Sequence, residues 1–251
     1  MTLEEYFKEN PSGALAFSGG TDSSLLVWAA KKYGQNWHAY YVKAAFQPEF
    51  ELEDAKKISE QCALPLTIIE ADILKHEEIT ANPSNRCYLC KQVVFSNIIR
   101  QATADGYTLI ADGTNASDDT SDRPGMQALK EMGVLSPLRE CGLTKAEVRE
   151  LSRTAGLFTW NKPSYACLAT RIPTGTRITS DALKKVETGE KLLSSLGFIN
   201  FRIRLHGQAA ILQFTQGQLS EAFACRDKIL DILRPIFPII SLDLLPRMKV
   251  E

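Results

Sequence analysis

The chain has 251 residues, 44% of them apolar and 24% charged, with a formal net charge of −1 at pH 7. These totals suit a soluble globular protein that can bury its own core. They exclude a global basic field for nucleic acid, and no run reaches the roughly 18 apolar residues of a membrane span. The acidic start, Met1-Thr-Leu-Glu-Glu-Tyr6, lacks the layout of a signal peptide, so a cytoplasmic location is expected.

The first predicted strand is the apolar run Ala14–Ser18. It gives way to Gly19 and Gly20, then Thr21, Asp22, Ser23 and Ser24, inside a helical pattern over Asp22–Tyr33. A strand, a glycine turn and a helix start aim backbone N–H groups and the positive end of the helix dipole at one spot. The guest that suits such a spot is a phosphate. Gly19 and Gly20 admit close approach of the backbone, and Ser18, Thr21, Ser23 and Ser24 add hydroxyl donors. Asp22, near the helix start, can cap N–H groups or orient magnesium. The Gly-Lys-Ser/Thr ending of a Walker loop is absent, and Ser23 stands where a dinucleotide fingerprint needs its third glycine.

Strands over His38–Lys43, Leu66–Glu70, Thr108–Ala111 and Leu135–Leu138 follow, alternating with helices over Glu51–Gln61, Lys91–Ala104, Arg123–Met132 and Thr144–Thr154. That rhythm predicts an α/β fold, a parallel sheet with helices on both faces. Thr144-Lys-Ala-Glu147 reads as a capping box, and Gly156 suits the end of its helix. The strand at Thr108 ends in Asp112-Gly113-Thr114-Asn115, followed by Ser117-Asp118-Asp119. In a parallel sheet this loop emerges beside the first one.

Just before the Lys91 helix lies Cys87-Tyr-Leu-Cys90. Such a turn can present two thiolates to one metal, form a redox pair, or hold two idle thiols. No second Cys-x-x-Cys and no His pair exists, so a four-ligand zinc site is not expected. Cys167 sits in a long irregular stretch, Phe158–Arg177, with Arg171 four residues on. With Cys87 and Cys90 it makes three thiols, enough for three corners of a 4Fe–4S cluster with one iron open. Cys62, Cys141 and Cys225 read as ordinary small thiols.

A different pattern then follows: a helix over Asp181–Leu196, a strand pair over Asn200–Leu205 and Ala210–Phe214, a helix over Leu219–Leu233 and a strand over Ile239–Leu244. This is a small α+β module, with 11 Lys and Arg against 8 Asp and Glu over residues 177–251. The expected domains are 1–176, carrying the phosphate loop, and 177–251, for substrate binding or oligomerisation. Arg202 and Arg204 alternate along a strand and so share a face, either as a phosphate clamp or as solvated surface arginines. Glu190 and Glu221 read as helix charges, with a role toward metal or substrate as the sharper reading.

The Ser18-Gly-Gly-Thr-Asp-Ser23 pattern resembles the pyrophosphate (PP) loop of the N-type ATP pyrophosphatases, and Gly113-Thr-Asn115 is similar to a second nucleotide loop of that superfamily. With Gly142-Leu-Thr-Lys145 and Lys162-Pro-Ser-Tyr-Ala-Cys-Leu-Ala-Thr-Arg-Ile-Pro173, the resemblance narrows to the LarE family. These are ATP-dependent sulfur transferases that help build the nickel-pincer nucleotide cofactor. The resemblance implies an adenine nucleotide alpha hydrolase-like fold, with ATP and Mg2+ as cofactors. The implied substrate is a pyridinium biscarboxylate mononucleotide. ATP, held by Ser18–Ser24 with Gly113, Thr114 and Asn115, would adenylate a carboxylate and release pyrophosphate. Sulfur would then displace AMP to give a thiocarboxylate. Asp22 and Cys167 would be catalytic, and Arg171, Arg202, Arg204 and Glu190 would bind substrate. The sulfur would come from Cys167 itself, left as dehydroalanine, or through a 4Fe–4S cluster held by Cys87, Cys90 and Cys167, the branch that three cysteines favour. The expected partners are a small-molecule nucleotide substrate, further copies of the chain and other pincer-cofactor biosynthesis enzymes, with no nucleic acid and no membrane. The rivals are a tRNA thiolase, which would bring zinc modules or a basic RNA surface, and an ammonia-dependent ligase of the NAD- or GMP-synthetase type, which would not need the three cysteines. A nucleotide sensor would carry a degenerate loop.

Overall fold

The structure, a computed structural model, describes residues 1–118 and 124–247; Asp119 and Arg123 lie outside the described residues. The chain forms two compact units, one of residues 1–73 and 85–162, the other of residues 74–84 and those from Pro163 onward. The division at Lys162/Pro163 falls earlier than the 176/177 boundary read from the sequence.

In the first unit, α1 (Leu3–Glu9) precedes β1 (Ser12–Ala16), α2 (Thr21–Tyr33), β2 (Asn36–Lys43), α3 (Glu49–Cys62) and β3 (Leu66–Glu70). The helix α1 is not among the elements expected from the sequence, although Thr2 and Glu5 close a capping box at its start. A single turn, α4 (Glu77–Thr80), belongs to the second unit. The first unit continues with α5 (Arg86–Ala104), β4 (Ile110–Ala111), α6 (Pro124–Glu131), α7 (Pro137–Glu140) and α8 (Lys145–Thr154). The four strands are all parallel, in the order β3-β2-β1-β4.

Alternate residues of these strands enter two separate cores, as a strand's two-residue period requires. Leu15, Ala39, Tyr41 and Ala111 pack with α1, α2 and α3, while Ala14, Tyr40, Val42 and Ile110 pack with Ile98 and Ala102 of α5. Both faces are therefore covered, the usual condition of a parallel sheet. Each large side chain so buried contributes about 1.5–3 kcal/mol.

Leu135–Leu138 is not a strand: Leu135 makes one bridge to Ala111, and α7 begins at Pro137. Proline has no N–H for a ladder but suits the first turn of a helix. The helix expected from Lys91 begins at Arg86, so both Cys87 and Cys90 lie on α5.

In the second unit α9 (Ser180–Ser195), β5 (Arg202–His206), β6 (Ala209–Gln213), α10 (Gln216–Ala224), α11 (Arg226–Leu233) and β7 (Ile239–Leu242) form a three-stranded sheet with helices. β5 and β6 are antiparallel and β7 runs parallel to β6. The helix expected over Leu219–Leu233 breaks at Cys225 into two. Residues 74–84 are stitched in by Asn82, fully buried at φ 58°, whose Nδ2 donates to the carbonyls of Ile172 (3.2 Å) and Pro173 (2.8 Å). No helix among the described residues is long and apolar enough to cross a membrane.

Candidate active site

The phosphate loop joins interior strand β1 to α2. Gly19 has φ +72°, and a Cβ there would lie 2.5 Å from the Glu51 carbonyl oxygen. The turn thus needs glycine both for its conformation and for its contact with α3. Ser18 and Ser23 hydroxyls are 3.0 Å apart, and Ser23 Oγ accepts from Ser18 N–H at 3.3 Å. The first N–H groups of α2 have no acceptor within the helix, so they are available to an anion. Ser18 is exposed, while Gly20 and Asp22 are half-buried. Two of the expected hydroxyl ligands are placed otherwise. Thr21 Oγ1 donates to the Thr159 carbonyl at 2.8 Å, and Ser24 is fully buried, its hydroxyl without a partner among the described residues.

The second loop abuts the first. A Cβ on Gly113 would sit 2.9 Å from Ser23 N, so only glycine permits this approach. Asn115 Nδ2 donates to Asp22 Oδ1 at 3.2 Å. Thr114 is buried, its hydroxyl donating to Asp112 Oδ2 at 2.6 Å, so it supports the loop. Asp112 also accepts from Ser136 Oγ at 2.8 Å.

Lys145 and Lys91 carry no role in the sequence reading. Lys145, the first residue of α8, pairs with Asp22 Oδ2 at 2.5 Å, and its N–H donates to Ser117 Oγ at 3.0 Å. Its motif is visible in the sequence; its partner is not. Burial pushes the Lys91 amine down, opposed by Asp112, Cys87, Asp118 and Cys90. Nothing in the sequence marks it.

Cys87 and Cys90 stand one helical turn apart at the start of α5. Cys87 is exposed, with Arg86 Nη2 3.9 Å from its sulfur, and Cys90 is half-buried. Their donor chemistry fits two corners of an iron–sulfur cluster. The third thiol, Cys167, belongs to the other unit, and within either unit no three His, Cys, Asp or Glu among the described residues are grouped as metal donors. Burial pushes the Cys62 thiol up to about 11. Only about a thousandth of it is thiolate at pH 8. Iodoacetamide at that pH is therefore expected to label Cys87 well before Cys62, as peptide mass mapping would show.

In the second unit Cys167 opens a 3-10 turn, Leu168–Arg171, and is half-buried. Its carbonyl accepts from Thr170 N–H (3.0 Å) and Thr170 Oγ1 (2.9 Å). Arg171 and Glu190 are expected from the sequence as substrate ligands, but both are buried and bonded to each other, at 2.8 and 3.1 Å. Arg171 Nη1 also donates to the Ala166 carbonyl at 2.7 Å, and Glu190 accepts from Tyr165 OH (2.6 Å) and Ile203 N–H (3.0 Å). The pair holds the cysteine loop against α9 and β5. Glu221 is an exposed helix charge, as read.

Arg202 and Arg204 flank buried Ile203 on β5 and so share the opposite face. Burial first, then Arg247, Arg171 and Arg204, push the Arg202 guanidinium down to about 10. Arg247, absent from the sequence reading, is lowered likewise, by burial and by Arg171 and Arg204. Crowded positive charge of this kind favours an anionic guest. Arg204 is anchored to Gln213 Oε1 at 2.7 Å and to the Thr170 carbonyl at 3.1 Å.

A parallel α/β sheet whose interior strand feeds a glycine phosphate loop, with a second loop packed on it, defines a PP-loop protein. No protein-family model matches the chain. It is 36% identical over 221 residues to uncharacterized protein slr1717 of Synechocystis sp., covering 87% of this chain and 82% of that one. It is 29% identical over 246 residues to pyridinium-3,5-bisthiocarboxylic acid mononucleotide synthase of Lactiplantibacillus plantarum, covering 97% and 89%. A shorter match, 28% over 159 residues, links it to argininosuccinate synthase of Haloarcula marismortui, covering 59% of this chain and 38% of that one. The chain belongs to the family of slr1717, within the PP-loop superfamily.

Proposed function

We propose that this protein is an ATP-dependent sulfur transferase that converts a carboxylate of a pyridinium mononucleotide to a thiocarboxylate. The observation that carries the reading is the junction of the two loops, Gly113 against Ser23 and Asn115 on Asp22, at the start of α2. The name of the Lactiplantibacillus plantarum relative supports the choice of substrate. A carboxylate is a poor electrophile, and its oxygen attack on the α-phosphorus of ATP, with pyrophosphate leaving, removes that barrier. The first N–H groups of α2 stabilise the departing pyrophosphate. Asp22, held by Asn115 and Lys145, would orient Mg2+ on the phosphates. Sulfur delivered at Cys167 then attacks the acyl carbon, and AMP leaves. Arg202 and Arg204 bind the substrate phosphate. Cys87, Cys90 and Cys167 are the thiols that would hold a 4Fe–4S cluster, which when bound supplies an open iron for sulfide.

The test is ATP–pyrophosphate exchange with the pyridinium biscarboxylate mononucleotide present. Asp22→Ala is expected to lose exchange. Cys167→Ser is expected to retain it while forming no thiocarboxylate, because adenylation precedes the step that needs sulfur. Exchange that ignores the substrate, or responds to RNA instead, would overturn the reading. Iron and sulfide analysis after anaerobic purification, with a mass for dehydroalanine at position 167, separates the two sulfur sources.

A further inference from the structure

The segment that closes the first unit, Phe158–Lys162, is tied to the phosphate loop by its backbone. Thr159 accepts from Thr21 Oγ1 at 2.8 Å, and Arg149 donates to the carbonyls of Trp160 (3.2 Å) and Lys162 (3.1 Å). With its main chain fixed, Lys162 directs its ammonium at the glycine turn. Nζ lies 3.5 Å from the Gly19 carbonyl oxygen, 2.5 Å from Asp54 Oδ2 and 4.8 Å from the Phe50 ring centroid. Lys162 and Asp54 side chains are each only 18% exposed. Asp54 belongs to α3, whose Glu51 carbonyl already touches the turn at Gly19, so the carboxylate is fixed beside the loop as firmly as the lysine.

An ion pair with a structural purpose alone has no need to stand at the mouth of an anion site. Lysine is a compact charge on a flexible stem, able to change partners by rotation about its side-chain bonds. We propose that Lys162 is a phosphate-binding residue that leaves Asp54 for a phosphoryl oxygen of bound nucleotide or pyrophosphate, and that Asp54 is a built-in competitor that lowers phosphate affinity. This rests on the PP-loop reading given above and adds two residues that neither the motifs nor the relatives' names assign. The two members of the pair act with opposite sign. Removing the cation removes a charge-assisted hydrogen bond to the guest, whereas neutralising the anion frees the cation for it.

The test is calorimetric binding of Mg2+-pyrophosphate and of a non-cleavable α,β-methylene ATP analogue to the full-length protein. Lys162→Met is expected to weaken both by about tenfold or more, and Lys162→Arg to stay within about threefold of wild type. Asp54→Asn is expected to tighten both about three- to fivefold, a gain that general damage to the fold does not produce. Asp54→Asn binding that is unchanged or weaker, or Lys162→Met binding like wild type, overturns the proposal while leaving the PP-loop reading intact. Wild-type protein that binds neither ligand overturns both.

Discussion

Replacing Arg171 by methionine is expected to destabilise the second unit by about 3–5 kcal/mol, the usual cost of leaving a buried charge without its partner. Arg171 is 1% exposed and Glu190 6%. Loss of the guanidinium removes two bonds to the carboxylate and those to the Ala166 carbonyl and to Thr170 Oγ1 (2.7 and 2.9 Å). It also removes the cation that lies 4.4 Å from the Tyr165 ring centroid. Glu190 would keep only its bonds from Tyr165 OH and the Ile203 amide among those it makes now. The double variant Arg171→Met/Glu190→Leu is expected to recover much of the loss, because two apolar side chains leave no stranded charge. Hydrogen exchange at the Ile203 amide, which donates to Glu190, reads the change within the unit itself. A loss below about 1 kcal/mol for the single variant would place the pair among screened surface bridges and contradict its burial.

Gly19→Ala is expected to destabilise the first unit by about 2–4 kcal/mol and to lower ATP–pyrophosphate exchange by on the order of a hundredfold. The left-handed φ of +72° alone opposes a side chain. The larger part comes from contact, since the new Cβ would meet the Glu51 carbonyl oxygen at 2.5 Å and Ala55 N at 3.2 Å, both backbone atoms of α3. The turn or the helix must move, and either shift misaims the N–H groups that face the phosphate. Gly20→Ala is the control. Its φ is −82° and its Cβ would meet only Ser18 Oγ, at 3.4 Å, so its effect on stability is expected to stay within about 1 kcal/mol. Thermal unfolding and the exchange assay on both variants separate the two positions.

Much of the first unit is legible in the amino-acid sequence. The strand at Leu66–Glu70 has the expected limits, α2 starts one residue ahead of its expected start, and the Thr144–Glu147 capping box forms as read. Each depends on local rules, a two-residue or 3.6-residue period and the chemistry of one turn, which neighbours in the chain are enough to express. The meeting of the two glycine loops is also foreseeable, because parallel strands deliver their following loops to one edge.

What the sequence by itself determined, then, is the α/β alternation, the phosphate loop and the kinds of residue available to it. The tertiary structure decided which of those residues face the site. It buried Ser24, turned Thr21 onto Thr159, bound Arg171 to Glu190 instead of leaving both open, and set Lys162 and Lys145 at the loop with Asp54 and Asp22 as partners. It also gave residues 74–84 to the second unit through Asn82. The physical reason is common to all of these. Periodicity and capping are set within a few residues, whereas the partner of a charge is chosen by packing between segments that can be more than a hundred positions apart, as Lys162 and Asp54 are.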